Sequence, residues 1–273
     1  GNSSKDISGS VSLLSGDAMD AAAGSVSIVG GDSSVSGADI LVKSGSATSS
    51  GIGGSISIDA GSSVSDNGGS ITMNTGGSST NESGSFTVST VNANNGSGDI
   101  VLNSGSSVSG TSGLVSISSG NSSMGSSGSI SLNVGSSSDT NGSNISLKSG
   151  SSESATGGDV DIISGKSNTG RSGIISLKTS DSLSSGSIVL NTGKAVNDNA
   201  GTIQMSTGEG QLAGSVSIAV GDAQSGAGGN ISLKAGNTGD ASVGGLLSLN
   251  AGDSDMGTGG DVIIASGVSS GVL

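Results

Sequence analysis

The chain of 273 residues has no histidine, cysteine, proline, tryptophan or tyrosine, and its one aromatic residue is Phe86. Missing histidine and cysteine remove the commonest general base, the commonest metal ligand and the thiolate nucleophile. No enzymatic activity, cofactor or metal site is therefore expected. Without cysteine no disulfide can brace the fold, although this says nothing firm about redox compartment. Collagen is excluded, because proline is missing and glycine does not fall at every third position. No apolar run approaches the roughly 18 residues that span a bilayer, and no signal peptide stands at the start, so membrane insertion is not expected. Basic residues are scarce, 8 against 21 acidic ones, for a formal charge of −13. With no basic stripe and no aromatics to stack on bases, nucleic acid is not expected as a partner.

What is abundant is glycine, 53 residues of it, together with serine. Such mixtures describe flexible linkers that bury too little apolar surface to fold. A repeat argues against that reading. Eighteen times the chain gives an opening glycine or other small residue, an apolar residue two positions on, a second two positions later, and usually a closing glycine, as in Gly128-Ser129-Ile130-Ser131-Leu132-Asn133-Val134-Gly135. The spacing is about 15 residues, with steps of 13 before Ile188 and Val216 and of 16 before Ile56 and Leu247. A disordered linker has no reason to hold aliphatic residues at fixed phase. Alternation of apolar and polar residues marks a half-buried strand, and self-similarity at a short period marks a solenoid.

The fold expected from this pattern is all-β: a single parallel β-solenoid, or β-helix, of about 18 coils of about 15 residues with a flattened, two-faced cross-section. Stacked in register at ~4.8 Å, the coils would make a rod of about 85 Å. Two inward files would form its core, represented by Val11 and Leu13, Ile56 and Ile58, Ile100 and Leu102, Ile130 and Leu132, Ile188 and Leu190, and Ile231 and Leu233. Small residues after the closing glycine, such as Ala18, Ser33, Ala47, Ser63, Ser107, Ser122, Ser167, Ala195 and Ala223, would let the opposite wall close tightly. The glycines are expected at corners with positive φ, and Asn67-Gly68, Asn95-Gly96 and Asn141-Gly142 at tight turns. Neither composition nor period shifts, so residues 1–273 read as one domain, uncapped at both ends. Bare ends and no initiator methionine predict either further chain on both sides or copies stacking end to end.

Two motifs suggest chemistry and fail on inspection. Gly165-Lys166-Ser167 resembles the end of a phosphate-binding loop, but the motif needs glycine where Val160 stands. Asp159 and Asp161 share one strand face about 7 Å apart, a spacing that paired glycosidase carboxylates can have. They would lie on an open face with Lys148 and Lys178 on neighbouring coils. The chain also lacks the Gly-Gly-X-Gly-X-Asp period of calcium rolls.

What remains is the outward strand face, led by Ser55, Ser57, Ser70, Thr72, Ser85, Thr87, Ser129 and Ser131, with apolar intrusions at Leu41, Val101, Val189 and Ile263. Acceptor triplets for N-glycosylation start at Asn2, Asn81, Asn95, Asn121, Asn141, Asn144 and Asn230. A flat hydroxyl-rich face suits a structural building block of an extracellular filament or fibrous adhesin. The alternative is an ice-binding or polysaccharide-binding solenoid using that face. The expected partner is the chain itself, in a head-to-tail or lateral homopolymer, or polysaccharide.

Runs such as Gly113-Leu114-Val115-Ser116-Ile117-Ser118-Ser119-Gly120 and Gly229-Asn230-Ile231-Ser232-Leu233-Lys234-Ala235-Gly236 resemble the Gly/Ser-rich β-solenoid repeats of secreted and surface proteins of microalgae, other protists and large viruses that infect them. The resemblance covers the whole chain. It implies a fibre outside the cell or on a cell or particle surface, and it carries over no catalytic residue. Two departures are Gly77, which extends one turn, and the repeat around Val88, which ends in Thr90-Val91 where a closing glycine is expected.

Overall fold

The structure is a computed structural model that describes residues 7–269. It overturns the solenoid. Among the described residues there is no strand, no helix and no sheet, and no hydrophobic side chain is buried. The two aliphatic files do not form a core: Ile130 is 53% exposed and Leu132 68%. The physical reason lies in what each repeat can bring to a core. Only two apolar side chains in about 15 residues are held at fixed phase, set against a Gly/Ser-rich backbone, and glycine loses more conformational freedom on ordering than any other residue. The chain divides into two units, Gly1–Gly135 and Ser136–Leu273.

The repeat is nonetheless real structure, built around a different contact. In eight repeats the carbonyl of one closing glycine accepts a hydrogen bond from the N–H of the residue that opens the next segment. Gly69 to Gly61 at 2.8 Å, Gly54 to Gly45 at 2.9 Å and Gly245 to Gly236 at 3.0 Å are representative. Each bond draws the two ends of a loop together into a neck. The six residues between one neck and the next, such as 55–60 or 159–164, form an open segment without a main-chain ladder. Exposure alternates along some of them, as at Ile40, Leu41 and Val42 with 55%, 86% and 71%, which is what side chains pointing to opposite faces give.

Glycine is needed at the necks for space rather than for φ. A Cβ at Gly245 would lie 3.1 Å from the Gly236 nitrogen and 3.4 Å from the Ala235 Cβ. By contrast, a Cβ at closing glycines such as Gly61, Gly135 or Gly252 would meet nothing within 4 Å. Positive φ was expected at the corners, but among the described residues only Gly51, Gly96 and Gly226 have it, and all three lie inside loops. The residue facing the opening glycine, just before the closing one, is always small or β-branched, as with Ser44, Ala60, Thr75, Ser149, Val220 and Ala251. Here the chain covers itself most. Gly30, Ser44, Ser149, Ser164, Ala235 and Ala251 all take this position and are half-buried, and Ala195 is the one half-buried residue elsewhere among those described. Val134 and Val220, at the same position, are the least exposed large aliphatics at 42% and 45%.

One neck exchanges its two sides. Its opening residue is Ala38 instead of glycine, and the residue facing it is Gly30, where a side chain stands in every other repeat. A Cβ at Gly30 would lie 2.8 Å from the Ala38 oxygen and 3.6 Å from the Ala38 Cβ. The methyl has crossed the neck, and the neck bond, Ala38 N to Gly31 O, is kept at 3.1 Å. The single change Gly30→Ala is expected to open this neck, increasing hydrogen exchange of the residue 38 amide about fivefold, which corresponds to the ~1 kcal/mol net value of such a bond. Adding Ala38→Gly to Gly30→Ala should restore protection only in part, since it removes the 3.6 Å contact with the Ala38 Cβ but keeps the nearer carbonyl oxygen of residue 38. Equal exchange of the residue 38 amide in the wild type and in Gly30→Ala would contradict the close approach.

Candidate functional surface

Serine does two different jobs at two phases of the repeat. Two positions after the closing glycine stand Ser63, Ser78, Ser107, Ser122, Ser137, Ser152, Ser167 and Ser254. In each the hydroxyl oxygen accepts a main-chain N–H three residues on, as in Gly110 to Ser107 at 3.0 Å, Gly125 to Ser122 at 2.9 Å and Gly170 to Ser167 at 2.8 Å. Ser33 does the same for Val35 at 3.1 Å and Ser36 at 3.4 Å. Short hydroxyl side chains commonly replace a backbone acceptor in this way and bend the chain. The expectation that these small residues close a narrow wall is thus corrected. Ser33, Ser63, Ser107, Ser122 and Ser167 are small because they cap their own loop. The tight turn near Asn67-Gly68 is made by Ser63, which receives the Asp66 N–H at 3.0 Å, and the one before Asn141-Gly142 by Ser137, which receives the Thr140 N–H at 3.2 Å. Gly96, by contrast, does have positive φ in the Asn95-Gly96 turn.

The same use explains Gly165-Lys166-Ser167. Its serine hydroxyl is turned into its own loop by Gly170, and the closing-glycine carbonyl by Gly173. Asp159 and Asp161 are both exposed, and no cavity occurs among the described residues. Nor does any group of three or more acidic side chains gather there that could hold a metal ion. No helix among the described residues is long and apolar enough to cross a membrane.

The second serine population occupies the open segments. Ser55, Ser57, Ser70, Thr72, Ser85, Thr87, Ser129 and Ser131 are all exposed. Two of them are tied within their own segment: Ser57 donates to the Asp59 carboxylate, and Ser131 accepts from the Asn133 amide at 2.7 Å. No sheet holds these hydroxyls at a common spacing among the described residues. The candidate core residues Val11, Leu13, Ile56, Ile58, Ile100, Leu102, Ile188, Leu190, Ile231 and Leu233 are exposed on the same segments. The structure therefore places aliphatic and hydroxyl groups side by side on open main chain. Of the glycosylation candidates, Asn81, Asn95, Asn121, Asn141, Asn144 and Asn230 are exposed, and Asn2 lies outside the described residues.

The surroundings of Asp240 favour its charged form. The Thr238 hydroxyl donates to its carboxylate at 2.7 Å, and the Ser242 N–H donates at 2.9 Å. Those bonds, the Thr238 one foremost, hold its pKa below the ordinary carboxylate value. Sequence reasoning missed this residue, although the Thr238-X-Asp240-X-Ser242 spacing within a loop was the available signal. Because the ordered loop favours the charged form, its contribution is complete above the ordinary carboxylate range and disappears as pH falls through the lowered pKa. Thr238→Ala is expected to move the Asp240 titration, followed by carboxyl NMR, upward toward the ordinary value. An unchanged midpoint would show that the Thr238 bond is not formed in solution.

No protein-family model, curated protein or solved structure matches this chain.

Proposed function

We propose that the chain is a non-enzymatic structural building block of an extracellular filament or fibrous adhesin, working together with copies of itself. The observation that carries this reading is the surface it leaves open. Its accessible surface is 27366 Å² for a mass of 25.2 kDa, whereas a compact protein of that mass exposes about 10,000 Å² and an unfolded one about 37,000 Å². A chain so open, with apolar residues at fixed phase in eighteen segments, gains most from burial against further chains. Large exposed apolar surfaces mark association sites. An acidic, hydroxyl-rich exterior suits hydration outside the cell or on a particle surface.

The alternative of ice or polysaccharide binding draws on the hydroxyls at Ser55, Ser57, Ser70, Thr72 and their counterparts. Recognition of a lattice requires those groups at fixed spacings, which a sheet would supply, and the open segments have none among the described residues. The filament reading is accordingly the stronger. Immunogold electron microscopy of native material should place the protein in filaments or in a surface coat, and purified protein should produce no thermal hysteresis. Finding it dispersed as a soluble monomer in its native setting would overturn the proposal.

A further inference from the structure

Charge is divided unequally between the two parts of the repeat. The eighteen open segments hold six acidic residues, Asp39, Asp59, Asp99, Asp159, Asp161 and Asp261, against the four lysines Lys43, Lys148, Lys178 and Lys234. They are close to neutral. The loops from Gly16 to Gly260 hold fourteen acidic residues against three basic ones, Lys166, Arg171 and Lys194. Nearly all of the formal charge of −13 therefore sits in the loops.

The open segments have what a pairing edge needs. Among the described residues every hydrogen bond between main-chain groups lies at a neck, so the amides and carbonyls within the segments have no main-chain partner. Short segments with alternating aliphatics, low charge and no proline are those that stack on identical copies. The surface left open exceeds that of a compact protein by well over 10,000 Å², several times the roughly 1,600 Å² of an ordinary stable interface. The partner must also match the spacing of these segments. It has to present main chain and an aliphatic pair at about 15 residues, but at 13 before Ile188 and Val216 and at 16 before Ile56 and Leu247. A second copy in register reproduces each irregular step, and a partner with a uniform repeat does not.

We infer that the open segments pair edge to edge with the corresponding segments of a second copy of this chain, and that the acidic loops make this pairing depend on ionic strength. The inference rests on the structural reading above and adds its contact and its control. In-register pairing brings each acidic loop beside its own copy, so like charges meet at matching positions. Their repulsion is long-ranged in dilute salt, where the screening length is about 30 Å at ~0.01 M, and short-ranged at about 3 Å in ~1 M salt.

Sedimentation velocity of the purified chain at neutral pH, from about 10 mM to about 1 M sodium chloride, tests this directly. Monomer is expected at the low end and assemblies at the high end, with the amide I signal of paired strands growing in parallel. Asp222→Asn, Asp253→Asn and Asp255→Asn combined should lower the midpoint salt concentration severalfold. Ile130→Lys with Ile145→Lys should raise it beyond the wild-type midpoint. Since neither isoleucine is buried, a loss of assembly in that variant reports on the contact and not on a collapsed core. A chain monomeric throughout, assemblies that dissolve as salt rises, or assemblies indifferent to the isoleucine changes would each overturn the inference. Monomer in vitro with filaments in native material would overturn only this contact. Assembly in vitro with soluble native protein would overturn only the structural role.

Discussion

One close approach organises the described chain: the carbonyl of a closing glycine meeting the N–H of the next opening residue. A single hydrogen bond of this kind contributes about 1 kcal/mol net, too little to fold a protein, yet it recurs in eight of the described necks. Its demands account for local sequence choices that have no other purpose. The opening residue lacks a Cβ because the facing backbone lies 3.1–3.6 Å from where that atom would be in Gly54, Gly69, Gly158, Gly173, Gly245 and Gly260. The residue across from it must be small or slim. At Gly30 and Ala38 the methyl group sits on the other side of a neck that keeps its bond, whereas Val134 and Ser143 carry a Cβ on both sides and make no such bond.

Between the necks nothing comparable acts. An aliphatic side chain stabilises a fold only in proportion to the area it removes from water, and here even the better covered member of each pair, Ile175 or Ile56, remains about half exposed at 49% and 52%. Order is thus local and repeated, the opposite of a globular domain in which one core supports weak loops. Loops of this protein are its more determined parts, held by a neck bond and a serine cap. Its segments of greatest β propensity are the undetermined ones.

That inversion explains which features could be read from the residues. The phase of the repeat was legible: opening and closing glycines, aliphatic pairs and intervening loops all fall where the pattern put them. The loop between Gly61 and Gly69 or between Gly150 and Gly158 is a structural unit as its sequence suggested. The solenoid was not legible, although it was the natural extrapolation. Period-two alternation says which side chains would share a face, but it is silent on whether successive segments approach within hydrogen-bonding distance. Ile130 and Ile145, one repeat apart, carry the same pattern whether or not their main chains pair. Composition, set aside in favour of the repeat, was the better guide here, since a Gly/Ser-rich chain with two phased apolar residues per repeat has little to bury.

The serines give the sharper lesson. Read as one population, they suggested a hydroxyl-covered wall and narrow packing. Position within the repeat separates them: Ser122 and Ser129 are seven residues apart, but the first receives the Gly125 N–H and fixes a bend, while the second stands on open chain. A residue type whose oxygen can substitute for a backbone acceptor is consumed by local geometry wherever a turn needs it. Only the remaining hydroxyls are free to meet a partner. The functional surface of such a repeat is therefore defined by subtraction, through finding which polar groups the backbone has already claimed. In this chain those are the ones nearest the closing glycines, which leaves the open segments as the place where another molecule can act.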